Sequence, residues 1–199
     1  MSASPPRDRP PARIAAIGDD VRDSAAVREV LAIFEAGAHN PVVETFARHP
    51  PLALPFLRFN RYLLRGSSVP VRLRQIAILR VAWTKQARYM WASHLRTSLR
   101  LGLAPADFAA VGAGPASPHW SDVERLILAV VDELRDTAEL RDECWAALRA
   151  QFDEPQIIDF LFTVGTYLSL AMVFNTLRIE REPELLELAR RFGSPELAG

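Results

Sequence analysis

Apolar residues recur at steps of three and four along most of the chain and almost nowhere alternate strictly, a pattern of amphipathic helices rather than strands. Ser24 can cap a helix carrying Val27, Val30, Leu31 and Phe34, which Gly37 and Asn40-Pro41 terminate. A short turn from Val42 to His49 precedes a helix from Leu52 to Leu64, bounded by Pro50-Pro51 and Gly66-Ser67-Ser68. Between Val69 and Leu103 the spacing predicts two helices that meet near Thr84 to Gln86, where the apolar pattern lapses. Gln75, Ile76, Leu79 and Trp83 share a face of the first, and Ala87, Met90, Trp91, His94, Ser98 and Leu101 a face of the second. Pro105 and Asp107 open a short helix to Val111, the stretch from Gly112 to Pro118 is a loop, and Ser121 with Glu124 makes a capping box for a helix through Leu134. Asp142 to Phe152, Glu154 or Pro155 to Leu177, and Pro183 to Phe192 complete the series. The fold class expected is all-α, a single-domain helical bundle.

Composition narrows this further. A chain of 199 residues with 49% hydrophobic residues fits one core with tails: a proline-rich arm over 1–20, disordered or draped, a helical domain over 21–192, and a flexible tail over 193–199. With 24 basic against 24 acidic residues there is no global field drawing the chain to nucleic acid or anionic lipid. A single cysteine, Cys144, excludes an intrachain disulfide and a dithiol centre and suits a reducing cytoplasm. The first residues lack an apolar secretory segment, and the run from Phe160 to Phe174 is short of a bilayer span, so a buried helix and no membrane are expected. His39, His49, His94 and His119 have no metal-ligand spacing and no glycine-rich phosphate loop is present, which leaves cofactor-free chemistry if the chain is an enzyme.

The unusual chemistry lies between Val69 and Leu103, where Gln75, Trp83, Tyr89, Trp91 and His94 sit among six arginines. The Arg-x-x-x-x-x-Arg lead-in from Arg74 to Arg80, the Tyr89/Trp91/His94 pattern, Gly102 after that helix, and Val164 to Tyr167 with Asn175 further on resemble the carboxymuconolactone decarboxylase and alkylhydroperoxidase D-like family, over roughly residues 40–180. The resemblance implies a core in which an acid on one helix faces two variable positions, often cysteines, and a histidine on the next. Here those positions fall on Gln75, on Ala87 and Met90, and on His94. With no sulfur at Ala87 or Met90, the thiol route to hydroperoxide reduction is closed. What the resemblance then implies is a cofactor-independent, decarboxylase-like enzyme acting on a small anionic lactone or carbonyl acid. The alternative is a non-catalytic ligand-binding or assembly-forming member.

In the catalytic reading His94 is the proton donor, Gln75 orients it or polarises the carbonyl, Arg80 or Arg88 holds a carboxylate or enolate oxygen, and Tyr89, Met90, Trp91, Trp83 and Tyr167 line an apolar pocket. The pH–rate profile should then show a single limb near the ordinary imidazole value. Each of these residues also has a plainer role: an aromatic pair at helical spacing is more often core, and Tyr167 and Asn175 can be core hydrogen bonders. Arg72, Arg96 and Arg100 should be solvated on outer faces, Cys144 structural, and His119-Trp120 a candidate lid. Phe152, Phe160, Phe162, Leu168 and Leu170 point in too many directions for one neighbour to cover, and the resemblance implies a homo-oligomer, a trimer or hexamer.

Overall fold

The computed structural model describes residues 11–18, 21–34 and 40–194, and among them the chain forms ten α-helices and no strand. The helices are α1 (Ala25–Leu31), α2 (Pro41–Phe46), α3 (Pro50–Arg65), α4 (Val71–Thr84), α5 (Arg88–Arg100), α6 (Pro105–Ala113), α7 (Asp122–Thr137), α8 (Asp142–Gln151), α9 (Glu154–Leu177) and α10 (Pro183–Phe192). The boundaries follow local chemistry. Ser24 Oγ accepts from Val27 N at the start of α1, Asp153 Oδ1 accepts from Gln156 N at the start of α9, and Ser121 and Glu124 form the expected capping box of α7. The stretch expected as a turn after Val42 is instead the short helix α2. Asn40 Oδ1 accepts from both Val42 N and Val43 N, and Pro41 occupies the first helical position, so the terminus is capped and pre-set although the helix is too short to show a period. Gly37, the expected terminator of α1, lies outside the described residues; α1 itself ends at Leu31.

Helix α4 is the centre of the bundle. Leu73 through Leu79, Val81 and Ala82 are all buried, and α5, α6, α7 and α9 pack around it. A second, smaller cluster joins α1, α2 and α3 through Val27, Val30, Val43, Ala53 and Leu57. Both tails are more ordered than their composition suggests where they are described. Over 11–18 the arm is draped, with Arg13 N donating to Leu177 O, Ile17 N to Glu44 O and Arg48 donating to the carbonyls of Ala15 and Ala16. At the other end Gly193 O accepts from the buried Trp91 indole at 2.8 Å, which docks the start of the C-terminal tail on α5.

The two central helices form an antiparallel hairpin. Gln86 takes a left-handed conformation (φ 50°), Gln86 N donates to Trp83 O and Ala87 N to Ala82 O, so the chain reverses in three residues. Asn175, expected in the core or the pocket, is exposed and donates from Nδ2 to Lys85 O, tying α9 to this turn. Helix α9, at 24 residues, is long and apolar enough to cross a membrane by length and composition, longer than its apolar run alone suggests; half of that apolar segment is buried in the bundle.

Candidate functional site

Gln75 lies about as far before the Lys85–Gln86 turn as His94 and Ser98 lie after it, so the hairpin brings the three together. Gln75 Oε1 stands 3.0 Å from His94 Nδ1 and accepts from Ser98 Oγ at 3.2 Å. Tyr167 arrives from α9 and sets its ring edge-on to His94, with centroids 5.2 Å apart. Gln75, Ser98 and Tyr167 are buried and His94 is half-buried. An amide oxygen can only accept, so the Nδ1 atom carries the imidazole proton and the Nε2 lone pair is left for other chemistry. Removal of water from around the ring lowers the His94 pKa to about 3, so the imidazole is neutral at physiological pH. A rate limb set by this ring is therefore expected well below the ordinary imidazole value. Burial also pushes the Tyr167 hydroxyl well above its usual range, with Arg74 pulling the other way.

Arg74, expected only as the first residue of the lead-in to Arg80, turns out to be a buried cation beside the site. The residue is 4% exposed, its guanidinium donates to Leu64 O and Val69 O with no partner for Nε, and desolvation lowers its pKa. It gives the neighbourhood of Tyr167 a buried positive charge without an ion pair at hydrogen-bonding distance. Ser98 was also missed as a site residue, although it shares the His94 face one turn further on.

The remaining expected site residues are elsewhere or otherwise engaged. Arg80 forms a two-pronged pair with Asp132, both bonds at 2.8 Å, and donates to Val111 O; its fork is used to join α4, α6 and α7 rather than to hold a substrate oxygen. Arg88 is exposed on the first turn of α5. Trp91 is fully buried against Trp83, and Trp83 fills the space a side chain on Gly112 would need, with its Cζ2 2.9 Å from where a Cβ would stand. Tyr89 packs on Phe174 in the core, where burial raises its pKa. Met90 is 1% exposed and Ala87 fully buried, so an apolar plug occupies the two variable positions.

Several surface expectations also change. Arg72 is held by Asp107 at 2.8 and 2.9 Å and by Glu124 at 2.6 Å, and Arg96 reaches Glu184. His119 Nε2 lies 2.6 Å from Asp107 Oδ1 and Trp120 is buried with its indole on Gly114 O, so this pair anchors its loop instead of forming a lid. Cys144 is half-buried, and desolvation with Glu133 beside it pushes the thiol up to about 11. Among the described residues no group of three or more His, Cys, Asp or Glu is placed to hold a metal ion.

Cavities on the described surface include one of about 520 Å³ between α7, α8 and α9 and one of about 920 Å³ along α7 and α8, and His94 lines neither of these.

Residues 50–133 match the model of the carboxymuconolactone decarboxylase family. No curated protein matches the chain. Among solved structures, an uncharacterised peroxidase-related protein from Silicibacter sp. superposes with a TM-score of 0.75 at 17% identity, covering 89% of this chain and 97% of that one. The debrominase Bmp8 in complex with 2,3,4-tribromopyrrole gives 0.73 at 14% identity, over 90% of this chain and 96% of its own. An alkylhydroperoxidase AhpD core protein from Ralstonia eutropha gives 0.71 at 17% identity, over 89% and 97%. At such identities the likeness is one of fold, and it agrees with the all-helical architecture and with the family match over α3 to α7. Residues 50–133 thus carry the match to the carboxymuconolactone decarboxylase family, and the chain shares its all-helical fold with alkylhydroperoxidase D-like structures.

Proposed function

We propose that the chain is a cofactor-independent enzyme in which neutral His94 moves a proton on a small anionic lactone or carbonyl acid, decarboxylating or isomerising it. The observation that carries this reading is the 3.0 Å contact between Gln75 Oε1 and His94 Nδ1, which leaves Nε2 as the reactive nitrogen. In an isomerisation Nε2 takes the proton next to the carbonyl, the C–H electrons pass into an enolate, and the same proton returns to the conjugated carbon. In a decarboxylation the electrons of the breaking C–C bond enter the same enolate as CO2 leaves, and a proton taken up from solvent at Nε2 is given to that carbon. The low basicity of His94 makes its imidazolium a strong acid, and an approaching carboxylate favours its formation. The buried Arg74 charge adds positive potential beside Tyr167. Peroxide reduction by a dithiol has no support in the site, since Ala87 and Met90 stand where sulfurs would be needed and Cys144 is on α8.

A second reading is favoured by one observation: Gln75, Met90, Trp91 and Tyr167 are each at most 2% exposed, and neither cavity reaches them. Such tight packing around a half-buried His94 suits a family member that binds or assembles without catalysis. Incubation with a panel of lactone carboxylates and unsaturated oxo acids in D2O, followed by NMR, separates the two. Turnover or deuterium uptake that falls by roughly 10²–10⁴ in His94→Asn supports the enzyme. No exchange by the wild type on any member of the panel, or full exchange by His94→Asn, sinks the proposed role of His94.

A further inference from the structure

We infer that the cavity of about 520 Å³ between α7, α8 and α9 is a binding site for a small arylalkylamine, a ligand with an apolar ring and a protonated amino group. His94 does not line this cavity, so the inference stands apart from the reading of the His94 site. The volume falls within the roughly 300–1,000 Å³ usual for small-molecule pockets. The walls are apolar. Leu161, Gly165 and Leu168 recur at steps of four and three along one face of α9, Leu134 comes from α7, and Trp145 comes from α8. Trp145 is 43% exposed. A half-exposed indole beside an apolar hollow gives a ligand ring a surface to pack on and an ammonium group a ring face to sit over.

Gly165 keeps the hollow open. Glycine in mid-helix weakens α9, and no packing within the described chain calls for it, since a Cβ there would meet nothing within 4 Å. A larger side chain at this lining position would instead stand in the cavity. The neighbouring helix does not close the space either: of the residues of α8, Leu148 alone is buried. Space left at a cost in helix stability, on the wall of an apolar hollow, is what a ligand site requires.

Charge selects the occupant. Helix α7 ends on Ala138 in the left-handed conformation (φ 60°), and after it Glu139, in the connection, and Asp142, on the first turn of α8, line the same cavity. Both are exposed acids. Arg141, the basic residue between them in sequence, is held by Glu133 at 2.8 Å. An ammonium group entering here meets two carboxylates with an indole in reach, whereas a carboxylate ligand meets repulsion. The anionic acid proposed as the substrate of His94 therefore does not suit this cavity, and a fatty acid is refused on the same ground.

Calorimetric titration of the full chain near neutral pH with phenylbutylamine, phenylbutanol and phenylbutyrate, which share a ring and differ in charge, tests this. The amine should bind with a dissociation constant of about a millimolar or tighter and roughly 10-fold more tightly than the alcohol, with the acid weakest of the three. Gly165→Leu should weaken the amine and the alcohol alike by about 10-fold or more, since the new side chain occupies the cavity, and helical circular dichroism should be unchanged because leucine favours the helix more than glycine does. Combining Glu139→Gln with Asp142→Asn should bring the amine to within about twofold of the alcohol and leave the alcohol as it was. Trp145→Ala, at an exposed position, should weaken the amine and the alcohol without disturbing the fold, and it carries the test alone if Gly165→Leu does not fold. No binding of the amine at about 10 mM, an acid that binds as tightly as the amine, or an amine affinity indifferent to Gly165→Leu and to Trp145→Ala overturns the inference.

Discussion

Lowering the pH should cost this protein stability through His94, by an amount the structure sets. In the unfolded chain the imidazole titrates at its ordinary value of 6.5, and in the folded chain at about 3. Because the folded value is the lower one, the folded state resists protonation. The contribution of His94 is complete above pH 6.5 and is lost as pH falls from 6.5 towards 3. Each pH unit in that window removes about 1.4 kcal/mol, so roughly 2 kcal/mol is gone at pH 5 and on the order of 4 kcal/mol near pH 3. The groups around the ring do not confuse the measurement, since Gln75 and Ser98 do not ionise and Tyr167 and Arg74 titrate far above this range. Urea unfolding of wild type and His94→Asn at half-unit steps from pH 7.5 to 4.5 isolates the effect, because every other titrating group is common to both. The wild type should lose stability faster below pH 6.5 by about 1.4 kcal/mol per unit, and its His94 ring signals should not shift between pH 8 and 5. Equal slopes in the two proteins, or a ring titration near 6.5, would refute the desolvated, neutral imidazole and with it the assignment of Nε2.

Gln75→Glu should raise the His94 transition, because a carboxylate at Nδ1 favours the imidazolium; a ring titration still below pH 5 would count against that contact. Arg80→Met should destabilise the fold by about 2–4 kcal/mol in thermal or urea unfolding, since it removes the two-pronged pair with Asp132, which keeps only Arg135, and the donor to the Val111 carbonyl; a change under 0.5 kcal/mol would show the fork to be ornamental. Cys144→Ser should leave turnover unchanged, and the native thiol should react slowly with a thiol reagent at pH 7 because so little thiolate is present; rapid labelling of the folded chain would contradict its raised pKa.

The helices themselves were readable because burial repeats with the helical period. The α4–α5 turn was visible as a lapse in that period, and the α7 start as a serine with a glutamate three residues on. The Gln75–His94 pair followed from the hairpin, since two residues equally distant from a tight reversal must face each other. What was not readable is where each arginine goes. Arg72, Arg74 and Arg80 share one helix and one side chain, but the partners that distinguish them lie on α3, α6 and α7 or in loops, 5 to 52 residues away in sequence. Nor could a period reveal α2, shorter than two turns, or the docking of Gly193 on Trp91, which joins residues 102 apart.

The polar contacts of His94 and its cover differ in another way. Gln75, His94 and Ser98 belong to one hairpin, with separations of 19 and 23 residues, whereas Tyr167 is delivered by a helix that half the chain must fold to place. Native-state breathing is graded, and segments held by fewer buried contacts open at lower free energy than the whole. An excursion of α9 that lifts Tyr167 would therefore expose more of the half-buried imidazole while leaving its hydrogen bond to Gln75 intact. Further exposure of the ring would then come from a sub-global opening of one helix rather than from a mobile loop, and amide exchange in α9 that is faster than in α4 would be its trace.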